Sequence, residues 1–279
     1  MSSEPLVYLN GEYLPYDQAV LPIEERSTNF GDAVYEVVRY YHGRPFRLER
    51  HMARLQRSAA GISLPLPPIE TVTKAMAGLI ERQGLVEASL YLQISRGSGP
   101  RVHTIPTSPT LNSFAIARPV DAMGPRKPLT AITVSDDRWA RCYLKTTMLL
   151  PNTLARQLAN QRGAEDAIFI RDGFVTEATA SNLFVVKDGR LLTPPLSNYI
   201  LAGITRETVI ELAEQEGIPQ DQVPIAESLL GHIDEAFLSG TISEVSAITA
   251  IDGRPVGTGR PGPIFERIAS AFDRLISIG

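Results

Sequence analysis

An amine and a carboxylate, separated by one helix-like and two strand-like runs, frame the chemistry this 279-residue chain can do. Lys145 closes what reads as a short extended stretch, Arg138-Trp139-Ala140-Arg141-Cys142-Tyr143-Leu144-Lys145. Downstream lies the string Glu177-Ala178-Thr179-Ala180-Ser181-Asn182. A lysine amine can close a Schiff base with an aldehyde, and a carboxylate can keep a proton on an aromatic ring nitrogen. By spacing alone Lys145 also reads as one more surface lysine and Glu177 as a polar strand end, so their surroundings must decide.

Those surroundings contain places for an anion. Gly203-Ile204-Thr205 opens an amphipathic helix with Leu212 and Ala213 on its apolar face. A helix N-terminus presents unbonded N–H groups and the positive end of its dipole, which suits a phosphate. Gly240-Thr241, after Phe237-Leu238-Ser239, offers a second small-residue turn with a hydroxyl. Arg50, Arg54 and Arg57 line one helical row; any of them could neutralise a phosphate, or all could be a solvated face. In Gly99-Pro100-Arg101-Val102-His103, an extended backbone would turn Arg101 and His103 to the same side. A guanidinium and an imidazole could then meet one carboxylate, although an exposed polar loop has the same sequence.

Other chemistries find no support. Gly257, Gly259 and Gly262 match G-x-G-x-x-G between a strand-like and a helix-like run. The sequence ends with that helix, so a dinucleotide unit lacks its second strand and its ribose-binding acid. There is no Walker A loop and no G-x-S-x-G elbow. The four histidines, His42, His51, His103 and His232, do not pair at metal-ligand spacing.

The elements that must hold these groups are legible from pattern. Val7-Tyr8-Leu9 before Asn10-Gly11 predicts a hairpin, as does His42-Gly43 between two apolar runs. Leu48, Met52, Leu55 and Ala59 predict a helix stopped by Gly61, and Ile69, Val72, Met76, Leu79 and Ile80 one stopped by Gly84. Leu90, Leu92 and Ile94 alternate with polar neighbours as in a half-buried strand, and Phe114–Ala117 is another. Residues 119–125 read as a linker between a domain at 1–118 and one at 126–279. In the second half Asp172-Gly173, Asp188-Gly189 and Asp252-Gly253 each predict a hairpin, with helices at Asn152–Arg162, Ile204–Glu216 and Pro263–Ile276. This order predicts two α+β domains rather than a regular βαβ alternation.

Composition sets the class. Hydrophobic residues at 43% and charged residues at 21% are those of a soluble globular enzyme. With 27 basic and 31 acidic residues the formal charge is −4, which offers no footprint for nucleic acid or an anionic membrane. The first thirty residues lack the apolar run of a signal peptide. The one cysteine, Cys142, precludes an intrachain disulfide, fits a reducing, cytoplasmic setting, and reads as a small buried hydrophobe.

Seven strings then occur in a fixed order over nearly the whole chain. They are Phe30–Val37, His51–Leu55, Ser95-Arg96-Gly97, Lys145-Thr146, Thr176–Phe184, Gly203-Ile204-Thr205-Arg206 and Thr241-Ile242-Ser243-Glu244. Together they resemble the fold-type IV pyridoxal-phosphate enzymes, namely D-amino-acid and branched-chain aminotransferases and aminodeoxychorismate lyase. The resemblance implies a two-domain α+β fold with pyridoxal 5′-phosphate at the domain interface. It implies that Lys145 holds the cofactor as a Schiff base and shuttles the proton, and that Glu177 pairs with the pyridine nitrogen. Arg54, the Ile204 and Thr205 amides and Thr241 would bind the phosphate, and Leu201 would pack on the ring. Arg101, His103 and Tyr35 look like the substrate-carboxylate trap of the D-amino-acid aminotransferases, and Trp139–Cys142 leans the same way. In that branch the arm carrying the arginine and histidine reaches the neighbouring subunit, which implies an obligate homodimer. Its substrates would be a D-amino acid and a 2-oxo acid. A branched-chain or (R)-amine transaminase and, through Ser95–Gly99, aminodeoxychorismate lyase are the alternatives. A non-enzymatic carrier is disfavoured because Lys145, Glu177 and Arg54 are all present.

Overall fold

The computed structural model describes residues 5–120 and 126–278. Two compact units emerge, Met1–Ala122 with Leu144–Met148, and Met123–Tyr143 with Leu149–Gly279. Of the expected linker, Pro119 closes a strand and Val120 donates to the Glu87 carbonyl at 3.0 Å; residues 121–125 lie outside the described residues.

The first unit runs β1 (Leu6–Leu9), β2 (Glu12–Pro15), a short α1 (Arg26–Phe30), β3 (Ala33–Tyr41), β4 (Arg44–Pro45), α2 (Leu48–Gly61), α3 (Ile69–Gln83), β5 (Ala88–Ser95) and β6 (Asn112–Pro119). Its sheet is antiparallel throughout, in the order β2-β1-β6-β5-β3-β4. Both expected hairpins are present. Asn10-Gly11 and His42-Gly43 all adopt positive φ, the conformation that two-residue hairpin loops need to follow the strand twist. One sheet face, carrying Val34, Val38, Leu90, Leu92, Ile94, Ala115 and Ala117, forms the core with Met52, Leu55, Met76 and Leu79 of α2 and α3. Glu36 shares that face, between Val34 and Val38, and therefore points into an apolar layer.

The second unit runs β7 (Leu129–Ser135), α4 (Leu150–Gln161), β8 (Asp166–Arg171), β9 (Phe174–Ala178), β10 (Asn182–Lys187), β11 (Arg190–Thr193), α5 (Ile204–Gln215), β12 (Gln220–Gln222), β13 (Glu235–Gly240), β14 (Glu244–Ile251), β15 (Arg254–Pro255) and α6 (Pro263–Ile278). The sheet order is β12-β11-β10-β13-β14-β7-β8-β9, with β15 on β14. The three Asp-Gly hairpins join β8 to β9, β10 to β11 and β14 to β15. Parallel pairing enters twice through a helix: α4 connects β7 to β8, and α5 connects β11 to β12. The sequence order concealed these two βαβ crossovers because β7 carries mixed residues and β12 is three polar residues long. Ile132, Ala167 and Phe169 pack under α4, while Ala131 and Ile168 face the other core, so this sheet is buried on both sides.

Two expectations need correction. Arg138–Lys145 is turn and bend rather than an extended stretch. The Arg138 guanidinium is drawn back onto Asp136, and Cys142 N donates to the Asn198 carbonyl at 2.8 Å, which curls the chain. In addition, Leu144–Met148 groups with the first unit rather than with residues 126–279. There Thr146 forms an antiparallel bridge with Val34, Tyr35 N donates to Lys145 O at 3.1 Å, and Lys145 N donates to Ser58 Oγ at 3.0 Å.

Candidate active site

In the first unit the short extension beside β3 brings Lys145 onto an aromatic ring. Its Nζ sits 4.2 Å from the centroid of Tyr35, which in turn stacks on Tyr91 at 5.4 Å. The chain has four lysines; Lys74 and Lys127 are exposed and Lys187 pairs with Asp188, so Lys145 alone is held against a ring.

Close to it is a buried charge cluster that pattern reasoning did not assign. Glu36 accepts from Arg54 Nε and Nη2, both at 2.8 Å, and lies 2.7 Å from His51 Nδ1. Of the three arginines on α2, Arg54 is the buried one; Arg50 is half-buried and Arg57 exposed. Burial alone would raise the Glu36 carboxyl, but the Arg54 guanidinium, His51 and Lys145 outweigh it and hold it at about 2. Burial dominates His51 in the opposite sense and lowers its pKa. The sequence did carry a signal: a carboxylate at a core position of an apolar strand requires a charged partner.

A pH prediction follows. Because the folded carboxyl titrates at about 2 against an ordinary 4.5, its stabilising contribution is complete above pH 4.5 and is lost as pH falls towards 2. The stability gap between wild type and Glu36→Gln, read from urea midpoints, should be constant above that window and narrow within it. A gap unchanged down to the lower limit would exclude the assignment.

The Gly99–His103 arm is bent, since Val102 N donates to Pro100 O at 2.7 Å. Arg101 and His103 nevertheless converge on one ring. The Arg101 Cζ is 5.4 Å from the Phe30 centroid, and His103 meets Phe30 edge-on at 5.7 Å. Tyr35 is not part of that contact; its ring engages Tyr91 and Lys145.

In the second unit a set of turns gathers at one end of β10 and β13. Asn182 pairs with Ser239, so the start of one strand adjoins the end of the other. Glu177 is buried there and receives three hydrogen bonds, from Arg138 Nη1 at 2.5 Å, Leu201 N at 3.0 Å and Asn182 Nδ2 at 3.2 Å. Arg138 also bonds Asp136 and the Tyr199 carbonyl, and Arg171 closes the chain of charges on Asp136 at 3.3 Å. Burial pushes the Glu177 carboxyl up, and Arg138 opposes that push without cancelling it. Neither Asp136 nor Arg138 was assigned a role from sequence; an acid-x-arginine pair just after a strand is the trace they leave. Burial also pushes the Cys142 thiol up to about 11, and the residue is half-buried rather than buried, its Sγ donating to Trp139 O.

The residues of this end suit a phosphorylated ring. No side chain caps α5 at Gly203, which leaves Ile204 and Thr205 at a bare helix start. A Cβ at Gly203 would lie 2.0 Å from Asn182 Oδ1, while the Ser181 and Ser243 hydroxyls close on Gly240 to 2.9 Å of where a Cβ would stand, so small residues and hydroxyls line both turns. Ser239 Oγ is buried with no hydrogen-bond partner. Leu201 and Thr241 are half-buried, flanking these turns. A helix start and hydroxyls can donate to a phosphate, and a solvent-shielded carboxylate can accept from a protonated ring nitrogen.

Residues 33–251 match the family described as amino-transferase class IV. The chain belongs to the class IV aminotransferases. A D-alanine aminotransferase of Bacillus licheniformis is 37% identical over 275 residues, covering 97% of this chain and 96% of that protein. Another, from Listeria monocytogenes, is 38% identical over 272 residues, covering 95% and 94%. Among solved structures, a branched-chain amino acid aminotransferase from Escherichia coli superposes with a TM-score of 0.92 at 29% identity, over 98% of this chain and 95% of that one. The PLP-bound form of a hypothetical aminotransferase from Mycobacterium tuberculosis gives 0.84 at 26% identity, over 97% and 98%. This class IV aminotransferase thus has the two-sheet α+β fold of its relatives. Among its described residues no helix is long and apolar enough to cross a membrane.

Proposed function

We propose that this aminotransferase is pyridoxal 5′-phosphate-dependent and moves the amino group of a D-amino acid to a 2-oxo acid, in the manner of D-alanine and 2-oxoglutarate. The observation that carries the choice of substrate is the convergence of Arg101 and His103 on one ring, in a chain similar over nearly its whole length to the D-alanine aminotransferases of Bacillus licheniformis and Listeria monocytogenes. A cationic arm of that kind suits an α-carboxylate, because a guanidinium offers two parallel charge-assisted hydrogen bonds. Tyr35 completes the carboxylate site. We further propose a homodimer, in which each arm serves the neighbouring subunit, and a cytoplasmic location.

The bound cofactor supplies an electron-withdrawing ring that makes the substrate Cα–H acidic. Lys145 would hold the cofactor through its amine and would take and return the proton at the substrate Cα. Glu177, whose carboxylate form Arg138 supports against the push of burial, would hold a proton on the ring nitrogen. Arg54, the Ile204 and Thr205 amides and Thr241 would bind the phosphate, and Leu201 would pack against the ring. The carboxylate contacts fix which enantiomer turns its Cα–H towards Lys145.

The likeness to branched-chain aminotransferases supports a second reading, a branched-chain L-amino acid as donor. Donor panels with D-alanine, L-leucine and (R)-1-phenylethylamine separate the two, and pyruvate release from aminodeoxychorismate tests a lyase. D-alanine should be converted with 2-oxoglutarate and L-leucine poorly. Arg101→Ala should lower kcat/KM for D-alanine about tenfold to a hundredfold, the cost of one charge-assisted contact. It should leave (R)-1-phenylethylamine, which lacks a carboxylate, almost unaffected. An equal loss on both donors, or a wild-type preference for L-leucine, rejects the D-amino-acid reading.

A further inference from the structure

The loop carrying Arg101 and His103 is built to be aimed. Its stem is closed by a backbone contact: Gly97 sits at φ +84°, and a Cβ there would lie 1.7 Å from Thr110 O. Beyond that stem Arg101, Val102 and His103 are exposed, with no strand or helix to fix their direction. Their direction comes from α1. The Phe30 ring carries Arg101 at 5.4 Å and His103 edge-on at 5.7 Å, while the Arg26 Cζ lies 4.7 Å from the same centroid. Arg26 also donates from Nη1 to Val102 O at 3.0 Å, the carbonyl between the two arm residues. It is buried, and its Nε donates to Asp32 Oδ2 at 2.8 Å. Arg26 N donates to Gly97 O at 2.9 Å, and Gly99 N to Glu24 O at 3.2 Å.

We propose that Phe30 and Arg26 are positioning residues for substrate selection. The Phe30 ring is the platform on which Arg101 and His103 are aimed, and Arg26 locks that platform to the arm's backbone. The inference rests on reading Arg101 and His103 as the carboxylate site.

Two physical arguments support it. A guanidinium on a flexible stem loses rotamer freedom when it binds a carboxylate, and holding it in place beforehand removes that cost from the binding step. An aromatic face does this without competing for the guanidinium's N–H groups, because its attraction acts on the cation as a whole. A carboxylate partner would have oriented Arg101 as well, but would have consumed the donors meant for substrate. Asp32 is instead bonded by Arg26 and Arg96, the latter at 2.9 Å, so the acid nearest the platform is already engaged. Two arginines thus share Asp32 beneath the arm, and the other acid at the stem, Glu25, is taken up by Ser98 Oγ at 3.0 Å and by Asn112, so neither carboxylate competes for Arg101. Arm and platform belong to the same chain, so the aim is set before any second subunit is engaged.

The test uses the holoenzyme with Phe30→Leu and Phe30→Met, which keep an apolar side chain but remove the ring. Phe30→Tyr keeps the ring. Arg101→Ala is run in parallel. The ring-free variants should raise KM for D-alanine roughly fivefold to tenfold, the loss expected from a cation–π contact and an edge contact together. Their kcat should stay within about twofold of wild type, because Lys145 and the cofactor contacts are untouched. Phe30→Tyr should restore KM. If Arg101→Ala raises KM and neither ring-free variant does, the platform is overturned while the carboxylate reading stands. If the ring-free variants lower kcat as much as they raise KM, or Phe30→Tyr fails to rescue, the role is general packing and the inference falls. If Arg101→Ala itself leaves KM unchanged, the carboxylate reading fails, and the platform with it.

Discussion

Lys145→Ala should remove turnover to below one part in about a thousand, because one substitution deletes both the proposed covalent anchor and the proposed proton shuttle; general acid–base transfer alone contributes on the order of 10²–10⁴-fold. The fold should survive. What ties this segment down is its own backbone: Tyr35 N to Lys145 O and the Thr146–Val34 bridge hold it to β3, and Lys145 N donates to Ser58 Oγ of α2. What is lost is the contact of Nζ with the Tyr35 face, an interaction worth about 0.5–2 kcal/mol, and a secondary charge contribution to Glu36, which keeps both hydrogen bonds from Arg54. The thermal midpoint of the apoprotein should therefore shift by a few degrees at most, while the visible absorbance of the bound cofactor disappears. Borohydride treatment of wild type should fix the cofactor on the peptide carrying Lys145, and on no peptide of the variant. No other lysine can substitute, as Lys74 and Lys127 face solvent and Lys187 is paired with Asp188 at the far end of β10. Retained absorbance with normal turnover would remove Lys145 from its role.

What the sequence disclosed and what it concealed divide along physical lines. Hairpins at Asn10-Gly11, Asp172-Gly173 and Asp188-Gly189 were readable because a positive φ at both loop positions selects those residue types locally. The helices α2 and α3 were readable because a buried stripe at helical spacing is also a local property. The parallel neighbours β7 and β8 were not, since their pairing is set by a crossover helix rather than by a turn. At the site, Lys145, Glu177, Arg101 and His103 are candidates by residue type, each beside a bland surface reading, and Arg54 is separated from Arg50 and Arg57 only by the family resemblance; the structure gives each a distinct held geometry. Their supports do not stand out. Glu36 lies 18 residues from Arg54, and Arg138 lies 39 from Glu177. Such pairings follow from sheet register and burial, which no short window of sequence encodes. Phe30 is the clearest case: as one aromatic in a family-like string it signals packing, and only the fold shows that two arm residues rest on it.

Glu177→Gln should lower kcat on the order of 10²–10³-fold, the range found when one preorganised electrostatic contact is removed, while loosening the cofactor far less. The substitution nearly preserves shape, and a glutamine oxygen can still accept from Leu201 N, so the ring remains seated. What disappears is the negative charge. A fully buried carboxylate tends to take up a proton, and burial does push Glu177 upward; the Arg138 guanidinium at 2.5 Å is the principal opposing influence. With the carboxylate anionic, the proton would stay on the ring nitrogen of the bound cofactor, where it would strengthen the electron sink. With a neutral amide in its place, that proton has no counter-charge and Arg138 faces an uncharged partner. Arg138→Met tests the same balance from the other side. It leaves Glu177 intact but removes its counter-ion, so a carboxyl C=O stretch that vanishes in Glu177→Gln should appear in the infrared spectrum of the variant at neutral pH. Its kcat should fall in the same direction. If Glu177→Gln keeps kcat within a few-fold of wild type, or if Arg138→Met leaves the carboxyl ionised and kcat unchanged, the ring proton is not under the control of this pair.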